Sequence, residues 1–246
     1  MKSTDGAPVR FRFTKRGKVR FISHRDIARA FDRAFRIEQL PLAFTEGFSP
    51  RPKVSFGLAL SVGHESDAEY LDVELLDAID ADSLVAPLTA ALPEGVAVTG
   101  ATSLMDRAPA LQEAVTAVDY RLVPYDTHDE PVPTAVLGTL LEAAAGPELP
   151  VTQVRKGKTR VEDVKPVIRT ISLAHDGPTP VLELSLSTQP RFARPREVLE
   201  ALGAVTGLDL AEGRVVRTAQ WIERDGARME PLEADALTRT PEVCAS

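Results

Sequence analysis

The chain has 246 residues, 43% of them hydrophobic, which suits two packed domains and excludes wholesale disorder. Its 29 Lys and Arg stand against 36 Asp and Glu, a net charge of −7, so the chain as a whole lacks the charge of a pure nucleic-acid binder. One cysteine, Cys244, excludes an intramolecular disulfide, a Cys-based zinc site and a protein-held iron–sulfur cluster. No apolar run approaches the roughly 20 residues of a membrane helix. The opening "MKSTDGAPVRFRF" lacks the apolar segment of a signal peptide, and a cytoplasmic protein is expected.

From the N-terminus, "VRFRFTKRGKVRFI" alternates Val9, Phe11 and Phe13 against Arg10 and Arg12, the period of a half-buried strand with its arginines outward. A turn over Lys15–Lys18 and a return strand Val19–Ile22 are expected next. Ser23, with Asp26 three residues later, reads as a capping-box start to a helix whose stripe is Ile27, Phe31, Ala34 and Phe35. "PLAF" and "KVSFGLAL" read as extended segments flanking the loop "EGFSPRPKVSFG". A strand Ala68–Leu76, a helix at about 80–92 and a strand "GVAVTG" follow. The order β-α-β-β-α-β recurs in "AVDYRLVPY", a helix Thr134–Ala145, "KPVIRTISLAH", "PVLELSLSTQ", a helix in "RPREVLEALGAVTG" and "GRVVRTAQWIE". An α+β chain of tandem ferredoxin-like domains with antiparallel sheets is expected, 1–110 and 111–230, followed by a polar tail 231–246.

Charge is partitioned along the chain. Residues 1–60 carry a net +8 and residues 61–150 a net −15, a swing that suggests two electrostatic faces, one able to attract anions. Arg25, Arg29, Arg33 and Arg36 recur at spacings of four, four and three, along one helix face. Their planar guanidinium forks suit phosphate. A second cluster, Arg155, Lys156, Lys158, Arg160, Lys165 and Arg169, contains Gly157 in what reads as a mobile basic finger between strands. A third, Arg191, Arg194 and Arg196, lies at a helix N-terminus, where free N–H groups favour anions. In the loop, Arg51 and Lys53 alternate with the inward Val54 and Phe56, and Phe48 has no evident core role. A cationic groove with a few exposed rings is how single-stranded nucleic acid is held.

Signals for catalysis are sparse. His24, beside Ser23 at a helix start, is the candidate general base for RNA cleavage. His64 lies near Glu65, Asp67 and Glu69, letters that fit a divalent metal or a flexible acidic turn. No metal site and no cofactor is assigned. Nothing matches a P-loop, a dinucleotide fingerprint or a nucleophile elbow.

The segments "FISHRDIARAFDRAFR", "LPLAFTEGFSPRPKVSFGLALSVGHESDAEYLDVEL", "RKGKTRVEDVKPVI" and "RPREVLEAL" resemble the radical SAM-linked protein family, a bacterial domain of unknown function. Members of that family stand alone or are joined to a radical S-adenosylmethionine protein, and the standalone form occurs beside genes for RNA processing and ribosomal proteins. The resemblance implies an accessory role, because one cysteine cannot hold a radical SAM cluster. The +8 segment and the clustered arginines, taken with it, point to a non-catalytic RNA-binding or accessory protein, with transfer or ribosomal RNA as partner. A docking module for a radical SAM enzyme and a metal-independent endoribonuclease using His24 are the alternatives. At fold level, tandem ferredoxin-like domains recur in RNA enzymes, among them endoribonucleases with a His near the first helix.

Overall fold

The structure is a computed structural model that describes residues 6–105, 108–155 and 157–236. It is a mixed α+β protein with mostly antiparallel strands, divided into two compact units. Unit 1 comprises 1–62, 68–114 and 224–246, and unit 2 comprises 63–67 and 115–223.

Unit 1 contains β1 (Ala7–Lys15), α1 (His24–Ile37), β2 (Val54–Phe56), β3 (Glu65–Leu75, of which 65–67 belong to unit 2), α2 (Val85–Ala91), β4 (Val96–Ser103) and the short α3 (Leu111–Ala114). Its strands run in the order β4-β1-β3, with β2 paired to the far side of β3. The β1–β4 and β2–β3 pairs are antiparallel. Val9, Phe11 and Phe13 of β1 bury themselves with Leu71, Val73 and Leu75 of β3 and with Ile27, Phe31, Ala34 and Phe35 of α1. Phe13 meets Phe31 edge-on at 4.8 Å, and Phe56 of β2 closes the cluster at 6.0 Å from Phe31. Each such ring stabilises the fold by about 2–3 kcal/mol through lost water contact. The capping box forms as expected. Ser23 Oγ donates to Asp26 Oδ2 at 2.6 Å, and the Asp26 N–H donates back to Ser23 Oγ at 3.3 Å. The Ser23 hydroxyl, then its N–H, holds the Asp26 carboxyl below the usual carboxylate range.

The expected return strand Val19–Ile22 is instead a 3-10 turn, Gly17–Phe21. Both sides of β1, the strand it would pair with, are taken by β4 and β3, and the Arg16 N–H already donates to Gly95 O at 2.7 Å. The turn is tied from inside by Lys15, which is buried and donates to the carbonyls of Arg20 (3.3 Å) and Ile22 (3.0 Å). Burial lowers the Lys15 pKa. Gly95 is the hinge of this corner, with φ +91° and a Cβ position that collides with the Arg16 carbonyl oxygen. Gly95→Ala is expected to cost about 1–3 kcal/mol, read as a lower midpoint in urea unfolding with an unchanged slope.

The arginines of β1 do not point to solvent. Arg10 is completely buried. Its Nε and Nη2 donate to Asp72 at 2.7 and 2.9 Å, and its Nη1 donates to Asp235 at 3.0 Å and to the Pro231 carbonyl at 3.1 Å. Residues 231–236, expected as the start of a polar tail, are therefore folded. Pro231–Ala234 form the short α6, and Asp235 is buried between Arg10 and Arg224. Just before them, Glu230 accepts from the Tyr70 hydroxyl and lies 3.7 Å from Arg12. Burial, then Glu230, pushes the Tyr70 phenol far up, so it stays a proton donor. Residues 237–246, Cys244 among them, lie outside the described residues.

Unit 2 contains β5 (Ala117–Tyr125), α4 (Thr134–Ala144), β6 (Pro150–Arg155), β7 (Lys158–Asp163), β8 (Ile168–Asp176), β9 (Thr179–Ser187), α5 (Pro195–Thr206) and β10 (Ala211–Arg224, ending at 223 within the unit). The strand order is β10-β5-β9-β8, antiparallel at each step. Glu65 and Ser66 add a short parallel pairing to Val216 and Arg217. Val118, Tyr120 and Leu122 of β5, Leu182, Leu184 and Leu186 of β9, Leu137 and Leu140 of α4, and Val198 and Leu202 of α5 are all buried. Gly207, at φ +72°, ends α5 in the left-handed conformation its sequence position suggests. The basic finger is a regular two-stranded hairpin, β6 against β7, turning at Gly157 (φ +72°). Backbone pairing from Pro150↔Asp163 to Arg155↔Lys158 satisfies the polar groups that a free loop would leave to water. After β10 the chain forms a last short strand, β11 (Ala227–Met229).

Candidate functional site

The loop between α1 and β2 is held on a neck. Phe44 and Pro52 form an isolated antiparallel bridge. Thr45 N–H donates to Arg51 O at 2.9 Å, and Arg51 N–H donates to Thr45 Oγ1 at 3.1 Å. Gly47, at φ +123°, lets the backbone reverse above this neck. Every residue from Phe44 to Arg51 is exposed, and Phe48 at the tip touches water on all sides. The loop is therefore a short stalk with Phe44 exposed at its neck, Phe48 at its tip and the guanidinium of Arg51. Lys53 behaves differently from Arg51. It is half-buried and pairs with Glu74 at 2.8 Å, so the two do not project together.

On α1, Arg25, Arg29 and Arg33 are exposed on the outward face. Arg29 pairs with Asp26 at 3.3 Å, and Arg36 is spent on the Asp32 carbonyl at 3.1 Å. Arg25 and Arg33 have no ion pair among the described residues. Of the basic first strand, Arg10, Arg12 and Lys15 are engaged inside unit 1, whereas Lys18 is exposed and Arg20 stacks its guanidinium 4.7 Å over the exposed ring of Phe21. The +8 of the first sixty residues therefore overstates the charge available to a ligand.

In unit 2, Lys158 and Arg160 are exposed on β7, Arg155 closes β6, and Lys156 lies outside the described residues. The third cluster differs from expectation. Glu197, in the first turn of α5, accepts from the Arg194 N–H at 3.2 Å, from Arg191 Nη1 at 2.6 Å and from Gln153 of the hairpin. The helix N-terminus is thus filled by the protein's own carboxylate. Arg191 also pairs with Glu162 at 3.3 Å and Arg196 with Glu200 at 2.8 Å, leaving Arg194 exposed without a side-chain ion pair among the described residues. These bonds tie the hairpin to the N-terminus of α5. The Arg-x-x-Glu spacing from 194 to 197 is the signal that reveals the Glu197 carboxylate there.

His24 is exposed, with its ring edge-on to Phe56 at 4.9 Å. It lines a small cavity with Lys15, Glu69 and Tyr70. At about 20 Å³ that cavity admits one water molecule. His64 is buried and bonds Glu212 at 3.1 Å, while Glu65 is held by Arg214 at 3.0 Å. Among the described residues no three metal-binding side chains meet, and no helix is long and apolar enough to cross a membrane.

The sequence reading missed one feature. A cleft of about 570 Å³ opens in unit 1, walled by Gly6, Pro8, Val54, Val73 and Leu104 and carrying Lys53, Ser55, Asp72 and Glu74. Asp72 and Glu74 alternate along β3 with the core residues Leu71, Val73 and Leu75, and Lys53 and Ser55 alternate with Val54 and Phe56 in and just before β2. That alternation was the available signal.

Residues 9–195 match the profile of a family described as an uncharacterized protein conserved in bacteria (DUF2344). The chain belongs to that family. The match spans α1, the stalk, the cleft strands and the hairpin of this DUF2344 protein, and it ends at the first residue of α5. No curated protein matches the chain. Similar solved structures include a Cbf5–Nop10–Gar1 complex (13% identity, 88% of this chain and 50% of that one, TM-score 0.48). An H/ACA RNP bound to a substrate RNA containing 2'-deoxyuridine gives 10% identity over 92% of this chain and 54% of that one, with a TM-score of 0.44. An archaeal box H/ACA sRNP Nop10–Cbf5 complex gives 10%, 87%, 48% and 0.43. The DUF2344 chain spans about half the length of each. Similarity at this level says nothing about what it binds.

Proposed function

We propose that this protein binds RNA in the cytoplasm and performs no chemistry on it. The interface in unit 1 comprises Arg25, Arg29 and Arg33 of α1 with Phe48 and Arg51 of the stalk, and Lys53 at its foot. In unit 2 it comprises Arg155, Lys156, Lys158, Arg160 and Arg194. The observation that carries the reading is Phe48, a ring held fully in water on a pinned loop beside an unpaired arginine. Such a ring has no packing role, and it is the kind of platform on which an unpaired base stacks. We read each unit as ferredoxin-like, a reading supported by two βαββαβ runs with strand orders β4-β1-β3-β2 and β10-β5-β9-β8. The radical SAM partner belongs to the same proposal, with this chain as the accessory that recognises RNA.

Phe48→Ala tests the reading. Fluorescence anisotropy with a short single-stranded RNA is expected to show weaker binding by about 1–3 kcal/mol, the typical worth of one base–aromatic stack. Thermal unfolding should move by less than about 0.5 kcal/mol, as for a surface site. Wild-type affinity in Phe48→Ala would remove the stalk from the interface.

A further inference from the structure

The geometry points to the 570 Å³ cleft of unit 1 as a pocket for one flipped-out nucleobase bearing an exocyclic amine. This rests on the RNA-binding reading and extends it to base selectivity. The volume lies within the range of small-molecule sites, about 300–1,000 Å³. Pro8 and Leu104 give it apolar walls, and the strand backbone at Val54 and Val73 forms its floor, which suits a flat heterocycle.

The charges argue for a base and against a phosphate. Asp72 is met two-pronged by Arg10, and Lys53 is met by Glu74. With both cations already matched, the described residues of the cleft offer no surplus positive charge to an anion. It does offer acceptors. Glu74 gives Oε1 to Lys53, which leaves Oε2 to accept another hydrogen bond, and Ser55 is exposed beside it. Gly6 permits this arrangement, because a Cβ there would press on the Glu74 side chain and lie 2.7 Å from the Leu75 carbonyl oxygen. A carboxylate in a pocket selects an amine donor, as Glu and Asp do when they accept from the N4 amine of cytosine. Uracil presents a carbonyl at that position and is repelled. Lys53 also joins the cleft to the stalk. Arg51 stands two residues away, at most about 7 Å of extended chain, so a phosphate held by Arg51 leaves its base within reach.

The test compares oligocytidylate with oligouridylate of equal length on the full chain. Oligocytidylate is expected to bind about tenfold more tightly, the lower part of the 1–3 kcal/mol that one well-placed base contact discriminates. Glu74→Gln should bring the two affinities together, because the amide can both donate and accept. The ratio is the readout, since removing a negative charge raises both affinities. Ser55→Ala, a smaller change on an exposed residue, should narrow the ratio without altering the unfolding midpoint. Equal binding of the two oligomers by the wild type overturns the base pocket and leaves the RNA reading standing. A preference that survives Glu74→Gln overturns it as well. Absence of binding to either oligomer at low salt overturns both readings together.

Discussion

Arg10→Ala lowers the stability of the protein by about 3–5 kcal/mol, the usual consequence of removing one partner from a buried ion pair. The guanidinium has no contact with water and serves two carboxylates, Asp72 and Asp235, as well as the Pro231 carbonyl. Without it, Asp235 keeps Arg224 at 3.0 Å, but Asp72 loses both of its arginine bonds while still largely enclosed. The void left by the side chain adds a packing loss. Urea unfolding reads the effect as a midpoint shift. A second consequence separates this account from a generic core defect. Asp235 is held down by Arg10, so residues 231–236 should become the first segment cleaved by a protease in Arg10→Ala. A variant with wild-type midpoint and wild-type protection would contradict the buried network.

Reversing Arg25, Arg33 and Arg51 together to Glu lowers RNA affinity by on the order of a hundredfold or more, since each charged hydrogen bond contributes about 1.5–3 kcal/mol. These three are chosen because nothing in the protein neutralises them among the described residues and all are exposed. Each lies on a helix face or on the stalk, so the variant is expected to unfold at nearly the wild-type midpoint. By contrast, Arg36→Glu and Arg196→Glu alter cations already committed to a carbonyl and to Glu200, and they provide matched controls with smaller losses. Equal losses from the controls would mean that total charge, and not the placed arginines, governs binding.

Local pattern made much of this fold legible. The alternation in β1 and β3, the stripe of α1 and its Ser23–Asp26 box are properties of neighbours within one or two turns of chain, and each is found where the letters place it. What pattern could not reveal depends on distant partners. Arg10 reads as an outward strand residue until Asp235, 225 positions later, covers it. Val19–Ile22 has strand letters, yet both sides of β1 are already taken by β4 and β3. The anion site expected at α5 is filled by Glu197 from its own first turn, with Arg191 and Gln153 converging on it. Of the cleft, the sequence shows only the alternation of Asp72 and Glu74 with core residues, because Gly6, Ser55 and Glu74 meet only across the sheet. The exposure of Arg25, Arg33, Phe48 and Arg51 was legible because none of them fits an apolar stripe or strand face of its own segment.

The most direct measurement is the salt dependence of RNA binding by the intact chain. Titration of a short single-stranded RNA across a range of salt concentrations should give a straight line of log K against log salt. Each phosphate contact on a single strand contributes about −0.7 to the slope, so loss of the contacts of Arg25, Arg33 and Arg51 should make it shallower by about 2 in the triple reversal. A slope near zero in the wild-type protein, or no binding at the lowest salt, would contradict the account.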